Sequence, residues 1–315
     1  MSLPRGLSSV LKKSPSDVVI LSSLRTPICR SYRGQLKDAY PEELLSVVLR
    51  ATLDANPNLD PAAIEEVAVG VVLSELGGSK AAKMALNHVG YPSTTTLYTV
   101  NRACSSSLQS IALVAAQIRT DVISVGIGAG MESMTRNYGS KAIPVDLWPA
   151  LKASDVKDAR DCIMPMGLTS ENVAARYGVT ATALGLSGSI LGKFVGATTS
   201  GCAPDEMGIG PVLAIPKILG QLGLTTEDVD RWEINEAFAS QAIYSVRALG
   251  LEKAWQDGRV NPDGGAIALG HPLGATGARM ASTLLHGLGR TGGDVGVVSM
   301  CVGTGMGMAG VFVRE

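Results

Sequence analysis

Short β-branched runs alternate with amphipathic helical patterns along this chain, and the alternation occurs twice. In the first pass, "DVVILSS" (17–23) reads as a strand and "PEELLSVVLRATLDA" (41–55) as a helix. "IEEVAVGVV" (64–72) ends in a strand, "SKAAKMALNHVG" (79–90) is helical and "TTTLYTV" (94–100) is a strand. A helix then opens at Cys104, and the strand "VISVGIGAG" (122–130) follows. Strands spaced by helices of this length predict an α/β fold, with helices packed on the faces of largely parallel sheets.

The second pass keeps the same order. "ILGKFVGATTS" (190–200), "DRWEINEAF" (230–238) and "DVGVVSMC" (294–301) read as strands. "GPVLAIPKILGQLG" (210–223), "ASQAIYSVRALG" (239–250) and "GHPLGATGARMASTLLHGLG" (270–289) lie between them as helical patterns. A last strand, "MAGVFVRE" (308–315), returns through "VGTGMG" (302–307), whose glycines suit a tight hairpin needing positive φ. The first half shows no counterpart to that returning strand. After "GIGAGMESM" the chain enters a long stretch with little strand character and one expected helix, Thr169–Tyr177. A duplicated unit whose first copy is one strand short is therefore predicted.

Composition excludes several classes. With 37 glycines and 17% charged residues, the 315-residue chain is neither collagen-like nor disordered. A formal charge of −1 provides no global basic field for nucleic acid. The five cysteines (Cys29, Cys104, Cys162, Cys202, Cys301) are scattered without a CxxC pair, which argues against a disulfide framework or a structural metal site and for a reducing compartment. The longest uncharged run, 295–313, is glycine-broken and reads as two strands rather than a membrane span. The basic, acid-free start "MSLPRGLSSVLKK" lacks the apolar core of a secretory signal; a short organelle address and a frayed terminus both fit it.

Four segments carry candidate chemistry: "VNRACSSSLQS", "EINEAFASQA", "NPDGGAIALGHPLGATGAR" and "VVSMCVGTGMG". Each lies at a strand end or a helix start, where open α/β sheets collect ligands. Cys104 opens a helix, whose N-terminal dipole is expected to lower a thiol pKa; a small buried hydrophobe is the other reading. Of the three histidines, His88 and His286 fall in helical patterns, whereas His271 sits among glycines and before a proline. A cysteine and a histidine brought together make a nucleophile and its base. Cys301 ends a strand in the position that corresponds to Cys104, so the two thiols can face one cleft as nucleophile and acid/base. The glycines after Cys301 can present N–H groups to a developing oxyanion. Asn235 can hold a water or an oxyanion, or cap the next helix.

In this order, these segments resemble the thiolase family, most closely its peroxisomal 3-ketoacyl-CoA members. The resemblance runs from "DVVILSSLRTPICRSYRG" to "ENVAARYGV" and from "ILGKFVG" to the end, through "ARDCIMPMGLTSENVAARYGV" and "MGIGPVLAIP". It implies a duplicated αβαβα layered fold and acyl transfer from a 3-ketoacyl-CoA to CoA. Cys104 would be the acylated nucleophile, His271 its base and Cys301 the acid/base at the acetyl-CoA carbon. His271 with an Asn235-held water would form one oxyanion site, and the N–H groups of Cys104 and Gly303 the other. Phe238 would line the pantetheine channel. Coenzyme A is implied as a substrate, with no permanently bound cofactor, no metal and no nucleic acid; a homodimer and a peroxisomal location are implied, the cytoplasm being the alternative.

Two departures from the family pattern stand out. "VTATALGLSGSIL" (179–191) replaces several dozen residues, including most of a lid-like loop and the last strand of the first half, the same strand missing from the repeat. Ser107 in "CSSSLQ" stands where glycine is more usual, which predicts crowding beneath the nucleophile. Expected boundaries are an N-terminal extension (1–16), a first half (17–136), a shortened loop region (137–190) and a second half (191–315). Other functions the pattern allows are a non-catalytic relative, acting as a partner subunit or arising from an altered gene model, and an acetyl-CoA acetyltransferase working in the condensation direction.

Overall fold

The computed structural model describes residues 5–14, 17–137, 147–166, 168, 169, 172 and 191–314. The second half is built on a five-stranded sheet of order β1-β5-β8-β7-β6. Its strands are β1 (Val19–Ile20), β5 (Gly192–Gly201), β6 (Arg231–Ile234), β7 (Val295–Val302) and β8 (Met306–Val313). β6 and β7 run parallel, while β8 is antiparallel to both β7 and β5. All eight residues of β7 are buried, as expected for a strand covered on both faces. Val295 and Val297 pack with α5 (Gly210–Leu222) and α6 (Ala239–Ala248) on one side. Val298, Met300 and Val302 pack on the other against α7 (Thr276–Thr291) and against Leu108 of α4 (Ser106–Arg119).

The first-half sheet has order β3-β2-β4, with all pairs parallel: β2 (Glu66–Gly70), β3 (Thr96–Val100) and β4 (Gly126–Gly130). Its outer face carries α2 (Pro41–Asp54) and α3 (Ser79–Val89), whose Leu45, Leu49, Ala82 and Leu86 bury against Val67 and Val69. Helices α4 and α7 lie between the two sheets, which gives five layers, α/β/α/β/α. The α2 start follows from its sequence: Pro41 occupies the first turn, where no N–H is needed, and the Glu43 carboxylate accepts from the Tyr40 N–H.

The repeat is imperfect where the sequence indicates. In the second half, antiparallel β8 lies between β7 and β5. In the first half, among the described residues, β4 pairs only with β2, and no antiparallel strand lies beside it. The expected first strand is also altered: only Val19–Ile20 form a strand, and it joins the other half's sheet by antiparallel pairing with β5. Pairing is decided by edges distant in sequence, which a local pattern does not encode. The expected helix Thr169–Tyr177 falls largely outside the described residues, as does 179–190.

Two local expectations change. Within the described part of the N-terminal extension, α1 (Leu7–Leu11) docks on the second half, with Val10 buried and the Gly6 N–H donating to the Leu222 carbonyl at 2.6 Å. In the β7–β8 hairpin the positive-φ residues are Thr304 (71°) and Gly305 (85°), so a threonine shares the turn geometry expected of glycines.

Candidate active site

The predicted residues converge. Cys104, Phe238, His271 and Gly303 line one cavity of ≈ 2050 Å³, with Asn235 bonded to His271 at its wall. Cys301 is fully buried at the end of β7, near enough for the two thiols to interact electrostatically. Three strand ends and one inter-helix loop deliver them: Cys104 after β3, Asn235 after β6, Cys301 and Gly303 at the β7 end, and His271 in the loop before α7.

The turn that presents Cys104 is held by local polar groups. Asn101 Oδ1 accepts from the Ala103 N–H at 2.9 Å, and Ser106 Oγ accepts from the Arg102 N–H at 2.9 Å. Ser105 and Ser106 hydroxyls donate to the Arg102 and Ala103 carbonyls at 3.0 and 2.6 Å. Ala103 itself adopts φ 42°, a strained conformation for a residue with a Cβ. The backbone amides of Gly303 and of Cys104 itself lie close enough to the Cys104 sulfur to favour its thiolate.

The expectation that the helix start would leave Cys104 ionised is overturned. Burial raises its pKa from 9.0 to about 11; the two N–H donors oppose this and the nearby Glu132 charge adds to it. Loss of hydration outweighs the helix dipole because the thiol is almost fully enclosed. Burial likewise pushes the Cys301 thiol well up, with Cys104 and Cys202 adding to the effect. His271 moves the other way, from 6.5 to about 4, first through burial and then through the Arg279 charge. The resting site is therefore a neutral thiol beside a neutral imidazole.

The hydrogen bonds around His271 fix its tautomer. The Thr276 hydroxyl donates to the Pro272 carbonyl at 2.9 Å, so its oxygen accepts from His271 Nδ1–H at 2.7 Å. Nε2 is then the basic nitrogen, and it accepts from Asn235 Nδ2 at 3.3 Å. Asn235 Oδ1 is buried with no partner among the described residues, leaving an acceptor open beside His271.

Several positioning groups were not singled out from the sequence. Asn261 Oδ1 accepts from the Ile234 N–H, and its Nδ2 donates to the Ile234 carbonyl and to Glu236, all at 2.8 Å, pinning the loop that carries Asn235. Beneath it, Arg231 and Arg290 both pair with Asp263, and Arg231 also reaches Glu233. An asparagine between two strand-end segments is the available sequence signal for Asn261; the charged cluster had none, since its members lie on β6, a loop and α7. Ser107 does not crowd the nucleophile. Gly70, where any Cβ would fall within the Ser107 backbone, leaves room for the helix start, and Ser107 Oγ accepts from the Ala278 N–H of the α7 first turn at 2.9 Å.

Among the described residues no cluster of His, Cys, Asp or Glu could hold a metal ion, and no helix is long and apolar enough to cross a membrane.

Known proteins are similar to this chain in sequence and fold. Residues 18–185 match the family model for thiolase, N-terminal domain, and residues 188–314 that for thiolase, C-terminal domain. The peroxisomal 3-ketoacyl-CoA thiolase 2 of Arabidopsis thaliana is 38% identical over 95% of this chain and 84% of its own length. That of Yarrowia lipolytica is 35% identical over 99% and 96%. The Arabidopsis alignment spans 398 positions against a 315-residue chain, so it opens gaps in this chain, in keeping with the shortening read from the sequence. The crystal structure of the dimeric peroxisomal thiolase of Saccharomyces cerevisiae superposes with a TM-score of 0.87 at 31% identity, covering 98% of this chain and 100% of that one. Human mitochondrial 3-ketoacyl-CoA thiolase in complex with CoA superposes at 0.78 and 27% identity, covering 95% and 98%.

Proposed function

Since this chain belongs to the thiolase family, we propose that it cleaves 3-ketoacyl-CoA with CoA, giving acetyl-CoA and a shortened acyl-CoA through a thioester on Cys104. The observation that carries this reading is the convergence on one cavity: buried Cys104, the Gly303 amide close to it, and a His271 imidazole whose bonds leave Nε2 unprotonated.

Chemistry follows from those protonation states. His271 Nε2 takes the Cys104 proton as the sulfur attacks the ketone carbon, so charge separates only as the C–S bond forms. The ketone oxygen becomes an alkoxide, stabilised by the N–H donors of Cys104 and Gly303. Collapse breaks the bond between the ketone carbon and the α-carbon. The electron pair leaves on acetyl-CoA as its enolate, and Cys301, a thiol that burial keeps protonated, supplies the proton to carbon. The enolate oxygen falls to His271 and to a water whose other hydrogen is accepted by Asn235 Oδ1. In the second step the thioester oxyanion, on the same oxygen as the first alkoxide, returns to the N–H donors of Cys104 and Gly303. CoA then gives its thiol proton to the Cys301 thiolate and attacks the thioester. Cys104 leaves as a thiolate and recovers its proton from His271. Atoms and charge balance, and each group ends as it began. Run backwards, the same groups condense two acyl-CoA molecules.

Coenzyme A enters here as a substrate, and Phe238 at the cavity wall suits its pantetheine arm. The dimeric yeast relative supports a homodimer, and the peroxisomal relatives support a peroxisomal site of action. The test is steady-state thiolysis: a medium-chain 3-ketoacyl-CoA plus CoA should yield acetyl-CoA, and Cys104→Ala should abolish it. Folded wild-type protein that produces no acetyl-CoA overturns the reading.

A further inference from the structure

Glu132 follows β4 and belongs to none of the groups given a chemical role above, yet it lines the same cavity as Cys104 and His271. It is buried, and among the described residues no lysine, arginine or histidine pairs with it. Its carboxylate instead accepts three backbone N–H bonds. Oε2 takes Val72 at 3.1 Å and Gly274 at 3.0 Å, and Oε1 takes Leu73 at 3.3 Å. Val72 and Leu73 continue from the end of β2 in the first half. Gly274 lies in the second half, three residues after His271. One carboxylate thus joins the two halves at the point where nucleophile and base must meet.

Close approach is built into the partner. A Cβ at Gly274 would stand 2.9 Å from Glu132 Oε2 and 3.0 Å from the Gly70 carbonyl, so only glycine lets this loop reach the carboxylate. From Gly274 the connection to the imidazole is short. The Ala275 and Thr276 N–H groups both donate to the Pro272 carbonyl at 2.8 Å, closing a tight turn around Gly274. Thr276 Oγ1 then holds His271 Nδ1 at 2.7 Å. Fixing the Gly274 amide fixes that turn, and the turn sets both the ring's direction and its tautomer.

A structural clasp alone has no need of an ionisable group in this place. A buried carboxylate is costly to hold, and burial raises Glu132 from 4.5 to about 7 against the pull of its three N–H donors. Two acceptor-only oxygens can serve three donors without presenting a hydrogen to any of them; a glutamine would turn its NH₂ toward one.

We propose that Glu132 is a positioning residue for His271, setting the imidazole against Cys104 across the boundary between the halves through the Gly274 amide and the Thr276 hydroxyl. The proposal rests on the thiolase reading for its kinetic consequence, but not for its structural one. The test compares wild type, Glu132→Gln and Glu132→Ala. Two quantities are measured: the single-turnover rate of Cys104 acylation by a medium-chain 3-ketoacyl-CoA, and the ¹⁵N shifts of the His271 ring. Displacement of the base by about 1 Å should slow acylation up to about a hundredfold. Glu132→Gln, which preserves shape and one acceptor, should lose about tenfold and Glu132→Ala more, with KM for the ketoacyl-CoA within about twofold of wild type. The His271 ¹⁵N signals should leave the single Nδ1–H pattern. Should the alanine variant not fold, the glutamine variant decides. A Glu132→Gln protein with wild-type acylation rate and unchanged His271 signals overturns the proposal. If wild type itself is not acylated, the thiolase reading fails, and the ¹⁵N comparison alone still decides the role of Glu132.

Discussion

Cys104 should react with a simple electrophile far more slowly than an ordinary thiol, although it is the proposed nucleophile. Its pKa is raised from 9.0 to about 11 by burial. Two pH units correspond to about 3 kcal/mol against the thiolate, and at pH 7 about one molecule in 10⁴ is ionised. Iodoacetamide brings no oxyanion and recruits no base, so its rate tracks the thiolate population alone. Alkylation of Cys104, followed by peptide mapping from about pH 6 to 9.5 with the exposed Cys162 as a reference for the reagent, should rise about tenfold per pH unit without levelling. The ketoacyl-CoA should acylate the same sulfur readily at pH 7, because neutral His271, with its pKa near 4, removes the proton during attack. A plateau below about pH 8.5 would reveal a resting thiolate–imidazolium pair and refute the argument that burial outweighs the helix dipole here.

Three further outcomes follow from particular contacts. Ala103→Gly relieves the φ of 42° before the nucleophile and should raise stability by about 0.5–1 kcal/mol after the glycine's larger unfolded-state entropy is counted, read from a denaturant midpoint; a loss of stability would show that the turn is not strained. Ser107→Ala leaves the buried Ala278 N–H without its acceptor and should cost about 1–3 kcal/mol by the same measurement, so an unchanged midpoint contradicts the helix-to-helix bond. Cys301→Ala should cut hydrogen–deuterium exchange at the acetyl-CoA methyl group by about 10²–10⁴-fold, and exchange at the wild-type rate would remove Cys301 from the acid/base role.

Much of this fold could be read from period and punctuation. The 3.6-residue patterns of α2 and α3 and the β-branched runs of β2, β3, β7 and β8 fall where the sequence puts them, because each is a local property, whereas α7 starts at Thr276, six residues into its expected span. The returning strand, and the lack of a counterpart among the described residues of the first half, are legible only by setting the halves side by side. The fate of "DVVILSS" was not legible: which sheet edge accepts Val19–Ile20 depends on β5, more than 170 residues away along the chain. At the site, residue types disclosed Cys104, His271, Asn235 and Cys301, but not the ionisation of Cys104. That depends on burial by segments distant in sequence, which no local pattern encodes. Asn261 and Glu132 escaped notice for a related reason: both work by accepting backbone N–H bonds, and the donors come from other segments.

The central claim is that Cys104 becomes an acyl thioester in a site assembled from both halves. Its most direct test is the intact mass of the protein after incubation with a medium-chain 3-ketoacyl-CoA in the absence of free CoA. One acyl group should be added, map to Cys104, be absent from Cys104→Ala and be released on addition of CoA as acyl-CoA. Folded wild-type protein whose mass does not change would contradict the account, since the sulfur, its base and its oxyanion donors would then not form a working site.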